Sequence, residues 1–84
     1  MSILEIRADS RVDDVSFTPD SLAVRLKDGR QISAPLDWFP RIKSASAADR
    51  GAWEPCAAGH GIHWPKIDEH LSVDGLLRVT SGER

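Results

Sequence analysis

Residues 22–34 read Leu22-Ala23-Val24-Arg25-Leu26-Lys27-Asp28-Gly29-Arg30-Gln31-Ile32-Ser33-Ala34, and this stretch decides the fold. Apolar and polar residues alternate on both sides of Asp28-Gly29, the pattern of a β-hairpin with one buried face. Asp-Gly usually marks a two-residue turn. Here that loop would set Arg25 opposite Ile32 and Val24 opposite Ser33, sending the two apolar sets to opposite faces. A three-residue loop, Lys27-Asp28-Gly29, instead pairs Val24 with Ile32 and Leu22 with Ala34. Gly29 then takes the left-handed position of a G1 bulge, where a residue without Cβ carries no steric penalty. The sequence therefore predicts the longer loop, with Asp28-Gly29 as structural punctuation.

Further strands are expected near 3–6 and 12–17, where Val15 and Phe17 share a face and Ser16 points away. Thr18-Pro19-Asp20-Ser21 supplies the turn into the hairpin strands, placed near 22–26 and 30–35. Pro35 has no N–H to donate, so the second hairpin strand ends there or runs along an edge. Trp38 and Phe39 are the expected lid over the apolar face. A short helix is expected near 46–51, with Ser46 as N-cap and Asp49 three residues on. A strand near 53–56 is confined to an edge by Pro55. Residues 68–77 read as one or two helical turns, with the main helix near 72–78 and Ser72 as its cap. The sum is α+β: a small, mainly antiparallel sheet with short helices, in one compact domain over 1–80 and a frayed tail over 81–84.

Composition narrows the function. The chain has 84 residues, 40% hydrophobic and 29% charged, with three Trp and two Phe. A domain this size buries only about 60–65% of its unfolded surface, so large side chains are needed inside. Trp64 is accordingly expected in the core, with exposure at a partner interface as the other reading. The net charge of −2 has no basic stripe behind it, so direct nucleic-acid binding is not expected. Neither a membrane span nor a signal peptide is visible. The single Cys56 can form no internal disulfide. Together these features predict a cytoplasmic protein.

Groups that could carry chemistry are few. His60, His63 and His70 lie near Asp68 and Glu69, which raises metal binding. No cysteine pair, His-Glu-x-x-His helix or calcium loop accompanies them, so structural or surface histidines are expected. Cys56 near His60 lacks an orienting third group and an oxyanion hole, so no nucleophilic dyad is read there. Asp13 and Asp14 are strand neighbours pointing to opposite faces. No catalytic residue, cofactor or metal ligand is expected, and the chain is not read as an enzyme. Candidate partner contacts are Arg41, Arg50, His63 and Trp64.

One resemblance is specific. Asp28-Gly29-Arg30-x-Ile32-x-x-Pro35-Leu36-x-Trp38-x-Pro40-Arg41, then Arg50-x-x-Trp53-Glu54, then Gly61-Ile62-His63-Trp64-Pro65-x-Ile67-Asp68-Glu69-x-Leu71-Ser72-Val73-x-Gly75-Leu76-Leu77 resembles the small bacterial family called domain of unknown function 2442. The similarity spans roughly residues 12 to 78. It implies a compact α+β domain of uncharacterised activity. Some members are fused to a helix-turn-helix, and others are encoded beside small toxin-like proteins, which implies an antitoxin-like protein partner. With so few residues after Leu77, no appended helix-turn-helix is expected, which leaves partner binding. The competing readings are a metal-binding protein or small enzyme using His60, His63, Asp68 and His70, and an accessory domain of a larger assembly.

Overall fold

The computed structural model describes residues 8–80; the strand expected near 3–6 and the tail over 81–84 lie outside them. Strands β1 (Val12–Phe17), β2 (Ser21–Leu26) and β3 (Gln31–Pro35) form an antiparallel sheet in that order. A 3-10 turn (Leu36–Trp38) and helices α1 (Pro40–Lys43) and α2 (Ala47–Gly51) follow. A second antiparallel sheet then assembles from β4 (Glu54–Cys56), β5 (Gly61–Trp64) and β6 (Glu69–Ser72), and α3 (Val73–Thr80) closes the chain. The class is α+β, as expected, but the one small sheet of the sequence reading is two.

The hairpin has the predicted register. Val24 pairs with Ile32 and Leu22 with Ala34. Gly29 N–H donates to the Leu26 carbonyl at 3.0 Å, Leu26 N–H donates to Arg30, and Gly29 sits at φ 97°. A polar ring ties the loop down. Asp28 accepts from the backbone N–H groups of Asp9 and Arg30 and from the Arg30 guanidinium, so its side chain is only 8% exposed. The Arg30 guanidinium, followed by those two N–H groups, holds the Asp28 carboxyl far below the usual carboxylate range. Arg11 grips Asp9 through its side chain and backbone and lowers that carboxyl to about 2.

Parity along β1 is broken once. Val12 and Val15 are both buried although three residues apart. A register shift between Val12 and Asp14 inserts the extra residue that brings both to the inner face. Leu22, Val24, Leu26, Ile32 and Ala34 complete the buried face of the first sheet.

Leu36 and Ile42, at 1% and 0% exposure, seal that face where Trp38 and Phe39 were expected to. Leu36 opens the 3-10 turn pointing inward, so Trp38 at its end is turned outward and remains 50% exposed. Phe39 is half-buried and meets Trp38 edge-to-face at 6.3 Å.

Ser46 caps α2 by accepting from Asp49 N–H, and Ser72 Oγ accepts from Gly75 N–H at the start of α3. Residues 69–72, read from the sequence as helical, are strand. The chain reverses over 65–68, with Asp68 at φ 53°, and this sets Ile62 opposite Leu71 and His63 opposite His70. Pairing across β5 outweighs the weak helical preference of so short a segment. Pro55 does lie on an edge strand, β4, as its missing N–H requires. The core joins both sheets: Ile62, Trp64, Val73 and Leu76 pack with the first-sheet residues.

Candidate functional site

The sequence candidates are redistributed by the fold. Trp64 is wholly buried, and its indole N–H donates to the Arg50 carbonyl at 3.0 Å. That placement follows the core reading and corrects its inclusion among partner contacts, since nothing outside the chain can reach it. Arg50 is largely committed inside the molecule. Its guanidinium donates to the carbonyls of Ile42 at 3.0 Å and Lys43 at 2.6 Å, at the end of α1, and lies 5.5 Å from the Phe17 ring centre. Arg41 stays at the surface and donates through Nη1 to the Asp68 carbonyl at 2.8 Å, tying α1 to the turn before β6.

His63 and His70 are brought together. The N–H of Val73 donates to His60 C=O at 3.0 Å, which fixes the hydrogen-bonded pairs of this ladder at 60–73, 62–71 and 64–69. His63 and His70 therefore form a non-hydrogen-bonded pair, the closer kind. Their rings stack with centroids 4.2 Å apart and planes 10° from parallel. Glu54 Oε2 lies 3.3 Å from His63 Nδ1, so Glu54, His63 and His70 make one row across β4, β5 and β6. His60 stands apart, 3.3 Å from Ser10 Oγ, and Asp68 is in the turn. His60, His63, Asp68 and His70 thus do not converge, and among the described residues no group of three His, Cys, Asp or Glu side chains is placed to hold a metal ion.

A groove opens on the other side of β6. Trp38, Phe39, His70, Leu71, Ser72, Gly75, Leu76 and Val79 line roughly 370 Å³. Trp38 and Val79, at 50% and 55% exposure, are the exposed large hydrophobic residues among those described, and both lie on this groove. The amphipathicity of α3 explains half of this: Val73 and Leu76 face the core, and Val79, next to Leu76 on the helix surface but farther round from Val73, lies at the margin of that apolar face. The 3-10 turn explains the rest by aiming Trp38 across at it. Neither residue was singled out from the sequence as a surface contact. The sequence makes Trp38 a lid over the apolar face, and only its place after a buried Leu36 argues otherwise.

These features describe a small α+β domain of two three-stranded antiparallel sheets with an apolar groove beside an edge strand. Residues 12–80 match the model of the family described as "Protein of unknown function (DUF2442)", and the chain belongs to that family. Its fold is similar to the crystal structure of a protein of unknown function from Rhodospirillum rubrum ATCC 11170, with a TM-score of 0.70 and 24% identity, covering 92% of this chain and 95% of that one. Among curated proteins none matches this chain. No helix among the described residues is long and apolar enough to cross a membrane.

Proposed function

We propose that this chain is a protein-binding module of a bacterial cytoplasm, and that the groove between Trp38 and Val79 is where its partner docks. The observation that carries the reading is the concentration of exposed large apolar side chains on one concave surface. Scattered surface hydrophobics need no explanation, whereas a cluster lining a groove is the usual mark of an interaction site. Tryptophan is also the residue most often found to dominate binding energy at such sites. The finer reading is antitoxin-like: the chain sequesters a small toxin-like protein encoded beside it. The free, half-buried Cys56 suits a reducing compartment.

Co-expression with the neighbouring gene product tests this. A complex is expected, with Trp38→Ser weakening it by at least about tenfold, the equivalent of about 1.4 kcal/mol. The same substitution should cost the free protein less than about 1 kcal/mol of stability, because Trp38 is half-exposed. A complex indifferent to Trp38→Ser would move the docking surface elsewhere, and no complex with relief of growth arrest absent would remove the antitoxin-like reading.

A further inference from the structure

We infer that the open edge of β6 accepts an extended segment of the partner as a fourth strand, parallel to β6, with one apolar side chain seated in the groove. This rests on the partner-binding reading above and gives that partner a backbone conformation and a residue pattern.

The ladder geometry carries the argument. Residues in hydrogen-bonded pairs turn both backbone groups toward β5, and those in non-hydrogen-bonded pairs turn both away from it. By the register set at His60 and Val73, the groups of β6 that face outward belong to His70 and Ser72. Both residues line the groove. Two of the four outward groups are already engaged. His70 N–H donates to Glu69 Oε1 at 3.3 Å, and the Ser72 carbonyl stands at the N-cap of α3, where it accepts the first helical bond. His70 C=O and Ser72 N–H remain, and among the described residues no backbone group outside the sheet bonds to either.

A carbonyl at one residue and an N–H two residues later is the pattern that a single residue of a parallel neighbour satisfies with its own N–H and C=O. That neighbour residue lies beside Leu71 and projects its side chain to the same side as Leu71. It therefore enters the groove bounded by Trp38, Phe39, Leu76 and Val79, which calls for a leucine- or phenylalanine-like anchor. The preceding partner residue lies beside His70 on the opposite face. Arg41, exposed and bonded to the Asp68 carbonyl, places its positive charge at this end of β6. The Glu69 carboxylate, bonded to the His70 N–H, lies on the same edge and offsets that charge, so the anchor and the backbone pattern, not a charged neighbour, define the partner segment. The open edge of β3 lacks these features, since α3 packs against it and Pro35 closes it.

Selection of short unstructured peptides from a displayed random library on the whole protein tests the inference. Winners are expected to carry an apolar anchor in an extended segment and to lose at least tenfold in affinity on Trp38→Ser. N-methylation of the anchor's own amide should cost a synthetic winner at least tenfold. N-methylation of the following residue, whose N–H points away from β6, should cost under threefold. Peptide binding should also slow hydrogen exchange at Ser72 N–H at least tenfold. Equal sensitivity to the two methylations, helical winners, an unprotected Ser72 amide or a failure to enrich any peptide would each overturn strand addition. Winners that depend on Trp38 but ignore both methylations would leave the docking surface standing and remove only the added strand. Winners indifferent to Trp38→Ser would remove both.

Discussion

The imidazole of His63 lies flat on that of His70, ring centres 4.2 Å apart and planes 10° from parallel, across the non-hydrogen-bonded pair that joins β5 to β6. The pair sits where β6 has least else to hold it. The strand is four residues long, and its outer neighbour is a groove. Stacking here acts as a cross-strand clasp, and Glu54 extends it to β4 through its contact with His63 Nδ1.

A double-mutant cycle measures that clasp. His63→Ala and His70→Ala should each destabilise the fold modestly, and the double variant should cost less than their sum, giving a coupling of about 0.5–1 kcal/mol. Urea unfolding of the four proteins provides the values. Strict additivity would mean that the two rings are neighbours without an energetic link.

How much of this was legible in the sequence depended on how local the deciding interaction is. The hairpin could be read to the register because Asp28-Gly29 and the parity of Leu22, Val24, Ile32 and Ala34 all act within a few residues of one another. Ser46 and Ser72 were legible as caps for the same reason. Of the second sheet only β4, expected near 53–56, was legible, because β6 becomes a strand only by pairing with β5, and nothing within residues 69–72 outweighs a helical reading. The groove was missed through one misassignment. The sequence makes Trp38 a lid over the apolar face, whereas Leu36 and Ile42 already fill that place. Of the two readings of Trp64, core and partner contact, the structure keeps the first, since an 84-residue chain has few other side chains large enough to join two sheets. Arg50 looked like a free cation because the α1 carbonyls that it satisfies come near it only in the folded chain.

Acid should loosen the hairpin loop before the rest of the first sheet. Asp28 titrates far below its ordinary value of 3.8 because Arg30 and two backbone N–H groups bind its charged form, and Asp9 is lowered to about 2 by Arg11. A carboxyl lowered by folding stabilises the folded state fully above the unfolded pKa, and that contribution disappears as pH falls through the folded value. The melting temperature of the wild type should therefore fall from about pH 4 downward and continue falling through about pH 2. Asp28→Asn should melt lower than wild type at neutral pH and show a shallower acid slope, with the gap narrowing toward about pH 2. Parallel curves across that range would show that the loop contacts do not contribute to stability.

Two glycines make an internal comparison. Gly29 has open space where a Cβ would project, yet its φ is +97°, so Gly29→Ala meets no clash and carries only backbone strain. A loss of about 1–2 kcal/mol is expected. Gly51, at the end of α2, also has open space and has no positive φ. Gly51→Ala should leave stability unchanged or raise it by up to about 1 kcal/mol, through better helix propensity and a less flexible unfolded chain. Denaturant midpoints compared at unchanged slope separate the two. Equal effects would remove the left-handed requirement at position 29.

Trp64→Phe probes the junction between the two sheets. The indole is fully buried, and its N–H is the partner of the Arg50 carbonyl at 3.0 Å. Phenylalanine keeps most of the apolar contact but leaves a small void and withdraws the donor, so both a cavity cost and an unsatisfied-carbonyl cost apply. Their sum is about 2–3 kcal/mol, a large part of the total for a chain this short. Because Arg50 also caps α1 and covers Phe17, losing its carbonyl anchor should loosen that link as well. Hydrogen exchange at Ser44 and Ala45, whose N–H groups bond back to Pro40 and Ile42, should quicken in Trp64→Phe beyond the global loss of stability. Exchange that rises there only by the global amount would confine the role of Trp64 to filling volume.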